Sequence, residues 1–126
     1  MTDHILVSQP LSTSGRYAAH LAAYCSATPI LSSEERRIDV ECFTPDMDTT
    51  EGEIAAVSRI AKERGYNSIL VVTYWGHVSR VRIYFDQCFD GAVYVTDTPR
   101  PLSNSRKDAL LHETGGYLKA FLKPAC

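Results

Sequence analysis

The chain has no apolar run near the roughly 18 residues that cross a bilayer, no C-x-x-C pair, no cluster of Lys and Arg, and no internal repeat or low-complexity tract. Each absence removes a class of protein. No membrane span is expected. The start, Met1-Thr2-Asp3-His4, lacks the basic residues and apolar stretch of a secretory signal, so the expected location is cytoplasmic. With 13 Lys and Arg against 15 Asp and Glu and a formal net charge of -2, nothing suggests a surface that tracks a phosphate backbone. No nucleic-acid partner is expected.

The four cysteines, Cys25, Cys42, Cys88 and Cys126, stand far apart, and their spacing suits neither a zinc site nor a thioredoxin-like motif. Cys42 falls in an apolar strand and Cys88 on an apolar helix face, where Cys behaves as a small hydrophobe. The expectation is four buried free thiols, none of them catalytic.

What the chain does have is 126 residues with 44% hydrophobic and 22% charged side chains. That is enough for one compact domain spanning residues 1–126. Four short apolar runs read as strands: His4–Ser8, 38–43, Ser68–Thr73 and 92–95. A short Ala-rich helix is expected over 15–25. Over 50–64 the spacing predicts a helix with Ile54, Val57, Ile60 and Ala61 inward, Glu51, Arg59, Lys62 and Glu63 outward, and Gly65 as its C-cap. A third helix over 77–89 carries Val78, Val81, Phe85 and Cys88 on one stripe. The last, Arg106–Leu122, is expected to bury Leu110, Leu111, Thr114, Leu118 and Phe121 before Pro124 stops it. Alternating strands and helices imply right-handed crossovers. The expected fold class is therefore α/β, a Rossmann-like three-layer αβα arrangement with a mainly parallel sheet. Residues 96–105, rich in Pro, Asp, Ser and Asn, can serve as a lid at the ligand edge.

Where strand Ser68–Thr73 runs out into Tyr74-Trp75-Gly76-His77-Val78-Ser79-Arg80, an apolar strand meets a short loop and then a helix. Ligands collect at such carboxyl ends in parallel sheets. His77 and Arg80, one turn apart, can grip an anion together, with His77 also exchanging a proton. The alternative is a surface His and an Arg80 paired with Asp86 or Glu63. Thr50-x-x-Glu53 fits a capping box, with Thr50 accepting from the Glu53 N–H; Glu53 can equally face the ligand crevice as base or hydroxyl-binding group. Glu113 precedes Gly115-Gly116. Two helix-interior glycines cost roughly 1 kcal/mol each relative to Ala, so a close approach of backbone to a neighbour or ligand is expected there. Otherwise Glu113 is a solvated residue paired with Lys119 or Arg106. Tyr74 and Trp75 can stack on a ring or pack as part of a lid. Asp48 and Glu53 form no recognisable metal motif, and no metal is expected.

Taken in order, Thr49-Thr50-Glu51-Gly52-Glu53, Leu70-Val71-Val72-Thr73, His77-Val78-Ser79-Arg80 and the stretch from Leu110 through Glu113 and Gly115-Gly116 to Leu118 resemble the YdcF-like and SanA-like family of bacterial proteins, whose biochemistry is largely undefined. The similarity runs over residues 40–121. Tyr74 stands where the family has a small Ser. The family's first strand and Gly-rich loop have no counterpart ahead of Ile5-Leu6-Val7-Ser8, so a shortened member that is inactive or self-associating is one expectation. The resemblance implies a small anionic or nucleotide-like ligand, adenosyl compounds among the candidates, and a link to cell-envelope processes. It supports a functional reading of His77, Arg80, Glu53 and Glu113; from their chemistry His77, Glu53 and Glu113 are the expected catalytic residues, and Arg80, Thr50, Thr73 and Tyr74 the expected ligand-binding ones. A non-catalytic regulatory module and a degenerate, self-associating remnant are the alternatives to an enzyme. No cofactor is specified, and a homo-oligomer is a further possibility.

Overall fold

The computed structural model describes residues 4–12, 14–27, 30–33, 36–98 and 106–126. Among these the order is β1 (His4–Ser8), α1 (Arg16–Ser26), β2 (Ile30–Ser33), β3 (Arg36–Phe43), α2 (Thr50–Glu63), β4 (Ser68–Thr73), a 3-10 turn (Trp75–His77), α3 (Val78–Cys88), β5 (Ala92–Asp97) and α4 (Arg106–Leu122). Strands and helices alternate, and the pairs β1/β3 and β4/β5 are parallel, so the chain is an α/β protein. Most of the expected lid, residues 99–105, lies outside the described residues. The chain divides into two compact units, residues 1–53 and 54–126, with the division in the first turn of α2.

In the first unit β3 is the central strand. It pairs in parallel with β1, from His4 opposite Asp39 to Ser8 opposite Phe43, and antiparallel with β2, from Ile30 opposite Asp39 to Ser33 opposite Arg36. The spacing of apolar residues did not reveal β2, whose four residues are too few to show a period. The α2 helix starts one position earlier than the capping-box reading places it. Thr49 is the cap, its Oγ1 accepting from the Gly52 N–H at 3.2 Å, while the Glu53 N–H donates to the Thr49 carbonyl at 2.9 Å. Gly52 suits this turn, since a Cβ there would collide with the Met47 carbonyl. Glu51, expected outward, is buried in the first turn, where the helix dipole favours a carboxylate.

In the second unit Gly65 ends α2 as expected. At φ 67° it donates to the Lys62 carbonyl, and Tyr66 N–H reaches back to Ala61 at 2.8 Å, the paired bonds of a Schellman ending. β4 and β5 pair from Ser68 opposite Ala92 to Thr73 opposite Asp97. Their side chains alternate with the strand period of two: Ile69, Val71, Val93 and Val95 pack against a core of Ile54, Val81, Tyr84, Phe85 and Ala120, while Leu70, Val72 and Tyr94 face out.

Two further expectations fail. The four cysteines are not free thiols: Cys25 is bonded to Cys42 and Cys88 to Cys126, with Cα separations of 5.8 and 5.3 Å, inside the range a disulfide spans. Partners 17 and 38 residues apart leave no local signature, so only the folded path of the chain brings them together. The last helix also reverses its expected burial. Leu110, Leu111, Leu118 and Phe121 are exposed, and Ala120 is the fully buried residue. Packing of α4 on α3 selects the narrow side of α4, where Gly116 and Ala120 let the helices approach.

Candidate active site

At the end of β4 the Thr73 carbonyl accepts from the Thr98 N–H at 3.0 Å, which carries the parallel pairing one step past the strand. Tyr74 is extended, at φ -89° and ψ 153°, and the backbone then closes a 3-10 turn in which the His77 N–H donates to the Tyr74 carbonyl at 2.9 Å. Gly76 permits the turn. A Cβ there would stand 2.7 Å from the Tyr74 ring, so the missing side chain is what lets the phenol fold back. His77 occupies the N-cap of α3 without capping it, leaving its imidazole free for other work.

That work is done on Glu113, supplied by α4. The Tyr74 hydroxyl donates to Glu113 Oε1 at 2.8 Å, His77 Nε2 lies 3.3 Å from the same oxygen, and Arg80 Nη2 lies 3.7 Å from Oε2. The Tyr74 and His77 rings meet with centroids 4.2 Å apart. Arg80 and Glu113 are largely withdrawn from water, with 12% and 13% side-chain exposure, and His77 keeps 29%. Two polar atoms of the cluster, Arg80 Nε and Glu113 Oε2, are buried with no hydrogen-bond partner among the described residues.

Burial and then the Arg80 charge hold the His77 pKa below its usual value, outweighing the opposing pull of Glu113. The ring is thus neutral at pH 7. Nε2 is turned to the carboxylate at 3.3 Å, and the tautomer protonated there leaves Nδ1 as an acceptor. Burial first, then the hydrogen bond and charge of Glu113, raise the Tyr74 pKa, with Arg80 opposing. The phenol therefore stays protonated and is a donor. One anion, one permanent cation and two neutral groups make a cluster with no net charge.

Of the residues singled out from sequence, Tyr74, His77, Arg80 and Glu113 come together here. Arg80 and Glu113 pair with each other, a partnership absent from those weighed on spacing. Thr73 ends β4 beside them in the chain. Thr50 and Glu53 belong to the first unit, where Thr50 is the first residue of α2 and the Glu53 carboxylate accepts from Ser8 Oγ at 2.7 Å. Ser8 carried no sequence signal. The Gly115-Gly116 pair did signal a close approach: a Cβ on Gly116 would collide with the Arg80 guanidinium, whereas one on Gly115 would meet nothing within 4 Å. Among the described residues no group of three or more His, Cys, Asp or Glu is placed to hold a metal ion, and no helix is long and apolar enough to cross a membrane.

Comparison with models of known families, with curated proteins and with solved structures finds no match for this chain.

Proposed function

We propose that the cluster of Tyr74, His77, Arg80 and Glu113 is the ligand site of a YdcF-like α/β domain and takes a small anionic or nucleotide-like molecule. The observation that supports this reading is the pair of buried atoms that find no hydrogen-bond partner among the described residues, Arg80 Nε and Glu113 Oε2. A buried polar group left unsatisfied costs about 1–3 kcal/mol, and a ligand that accepts from one and donates to the other removes both deficits. A phosphate or carboxylate oxygen fits the Arg80 donor, and a ligand hydroxyl fits Glu113. His77, neutral and oriented by Glu113, then supplies Nδ1 as a proton acceptor, and the Tyr74 hydroxyl is a donor within the same cluster.

The wider expectations belong to this proposal. Parallel pairing with helical crossovers supports a Rossmann-like reading, and a cell-envelope role rests on the family resemblance. The two disulfides favour an oxidising compartment over the expected cytoplasm, where thiols are held reduced. A second reading, a non-catalytic binding module, draws on the same cluster: Tyr74 and His77 both spend a polar group on Glu113, as in a network that positions rather than reacts.

A thermal-shift screen against nucleotides, sugar phosphates and adenosyl compounds tests the site, because binding to the folded state raises the melting temperature. Arg80→Lys keeps the charge but removes the Nε donor and the planar fork. The expected result is a stabilising ligand whose effect shrinks in Arg80→Lys. A ligand that stabilises wild type and Arg80→Lys alike would overturn the assignment. Turnover of that ligand, lost in His77→Gln, separates the enzyme from the binding module.

A further inference from the structure

The last helix turns its wrong side inward. Glu113, Gly116 and Ala120 lie on one line of α4, and Ala120 is fully buried in the core. The opposite arc carries Leu110, Leu111, Tyr117, Leu118, Phe121 and Leu122, exposed by 64%, 75%, 41%, 59%, 63% and 84%. At about 100° per residue these six span only about 140° of the helix surface. Thr114 falls inside the same arc, and its hydroxyl donates to the Leu110 carbonyl at 2.7 Å, so it brings no unmet polar group to the face. Tyr117 and Phe121 already pack edge to face, with centroids 5.4 Å apart.

We infer that this stripe is an interface with a second copy of the chain, in which two α4 helices pack across a two-fold axis. The spacing points to a helical partner. Leu110 and Tyr117, Leu111 and Leu118, and Thr114 and Phe121 each recur after seven residues, which is the repeat of a helix-to-helix seam. Self-association then follows from the character of the face. A two-fold interface sets one patch against itself, so a charge within the patch would meet its own like; from Leu110 to Leu122 this arc carries none, Lys107 being one turn before it and His112, Lys119 and Lys123 outside it. The area is sufficient as well. Taking about 200 Å² for each fully exposed side chain of this size, the six offer on the order of 800 Å², the share each partner gives to a standard interface. A patch of this extent on a monomer is itself a mark of an interaction site. This inference does not rest on the proposed ligand or reaction.

Sedimentation of the full chain across a dilution series tests it, together with hydrogen exchange of the α4 amides at the two ends of the series. Wild type is expected at twice the chain mass when concentrated, with α4 amides more protected and a melting temperature that rises with concentration. Leu111→Glu combined with Leu118→Glu is expected to give a folded monomer with circular dichroism like that of wild type. A wild type that stays monomeric at every concentration overturns the inference, whether α4 then proves to be covered within the chain or to bind lipid vesicles. If the double variant fails to fold, the wild-type measurements decide alone: concentration-dependent mass and α4 protection support the interface, and their absence overturns it.

Discussion

The Arg80 guanidinium lies directly over Gly116, in space that any side chain at that position would occupy. Gly115, next to it, has open space beyond its backbone. The two glycines therefore respond oppositely to the same change. Gly115→Ala is expected to stabilise the protein by up to about 1 kcal/mol through helix propensity. Gly116→Ala gains the same propensity but displaces Arg80 from Glu113, and is expected to be neutral or destabilising. Urea midpoints of the two variants, measured side by side, check this; equal stabilisation would mean that Arg80 does not need the Gly116 surface.

Glu113 holds three partners from the end of β4 and from α3. Removing it strands the largely buried Arg80 charge, and breaking a buried pair from one side costs about 3–5 kcal/mol. Glu113→Ala is expected to fall in that range and Glu113→Gln to lose less, since the amide oxygen still accepts from Tyr74. A double-mutant cycle with Arg80→Met isolates the pair, with an expected coupling above about 1 kcal/mol. Additive effects would show that the 3.7 Å pair contributes nothing of its own.

Because burial and Arg80 lower the His77 pKa, the folded protein binds fewer protons than the unfolded chain just below the usual value of 6.5. Stability rises with pH wherever the unfolded state holds more protons. The His77 contribution is thus complete above that value and is lost as pH falls toward the folded pKa. Denaturation midpoints measured downward from about pH 7 should decline, and His77→Gln should flatten the decline. An unchanged slope in His77→Gln would place its origin in other groups.

Cys88 closes the end of α3 onto the last residue of the chain, and the Gln87 amide holds the same stretch by donating to the Ala120 carbonyl and accepting from the Ala125 N–H, both at 3.0 Å. A loop of 38 residues corresponds to on the order of 4 kcal/mol of chain entropy. Cys126→Ser is expected to lower the melting temperature and speed hydrogen exchange in the last turn of α4. Mass spectrometry of the unreduced wild type should find no alkylatable thiol; four reactive thiols would remove the disulfides from the argument.

Local chemistry explains which features were legible in the sequence. The α2 helix and its Gly65 ending are read from a 3.6-residue period and a residue free to adopt positive φ, and both are properties of neighbours in the chain. The same holds for β4, β5 and the turn into α3, so Tyr74, His77 and Arg80 could be named from their place after a strand. Glu113 was visible too, through the two glycines that follow it. Its partnership with Arg80 was not, because spacing rules reach only three or four residues along a helix.

Legible in the sequence were the α/β alternation, the apolar runs that form β1, β3, β4 and β5, and the carboxyl end of β4 as a place where polar residues gather. These follow from period, propensity and turn chemistry, which act over a few residues. Tertiary structure alone decided which cysteines pair, which of the two glycines carries a neighbour, and which side of α4 is buried. Apolar periodicity points to the Leu-rich face of α4 as the buried one, because it does not weigh how closely a neighbouring helix can approach each side. Close packing against α3 favoured the side with Gly116 and Ala120 and left the Leu-rich side outward.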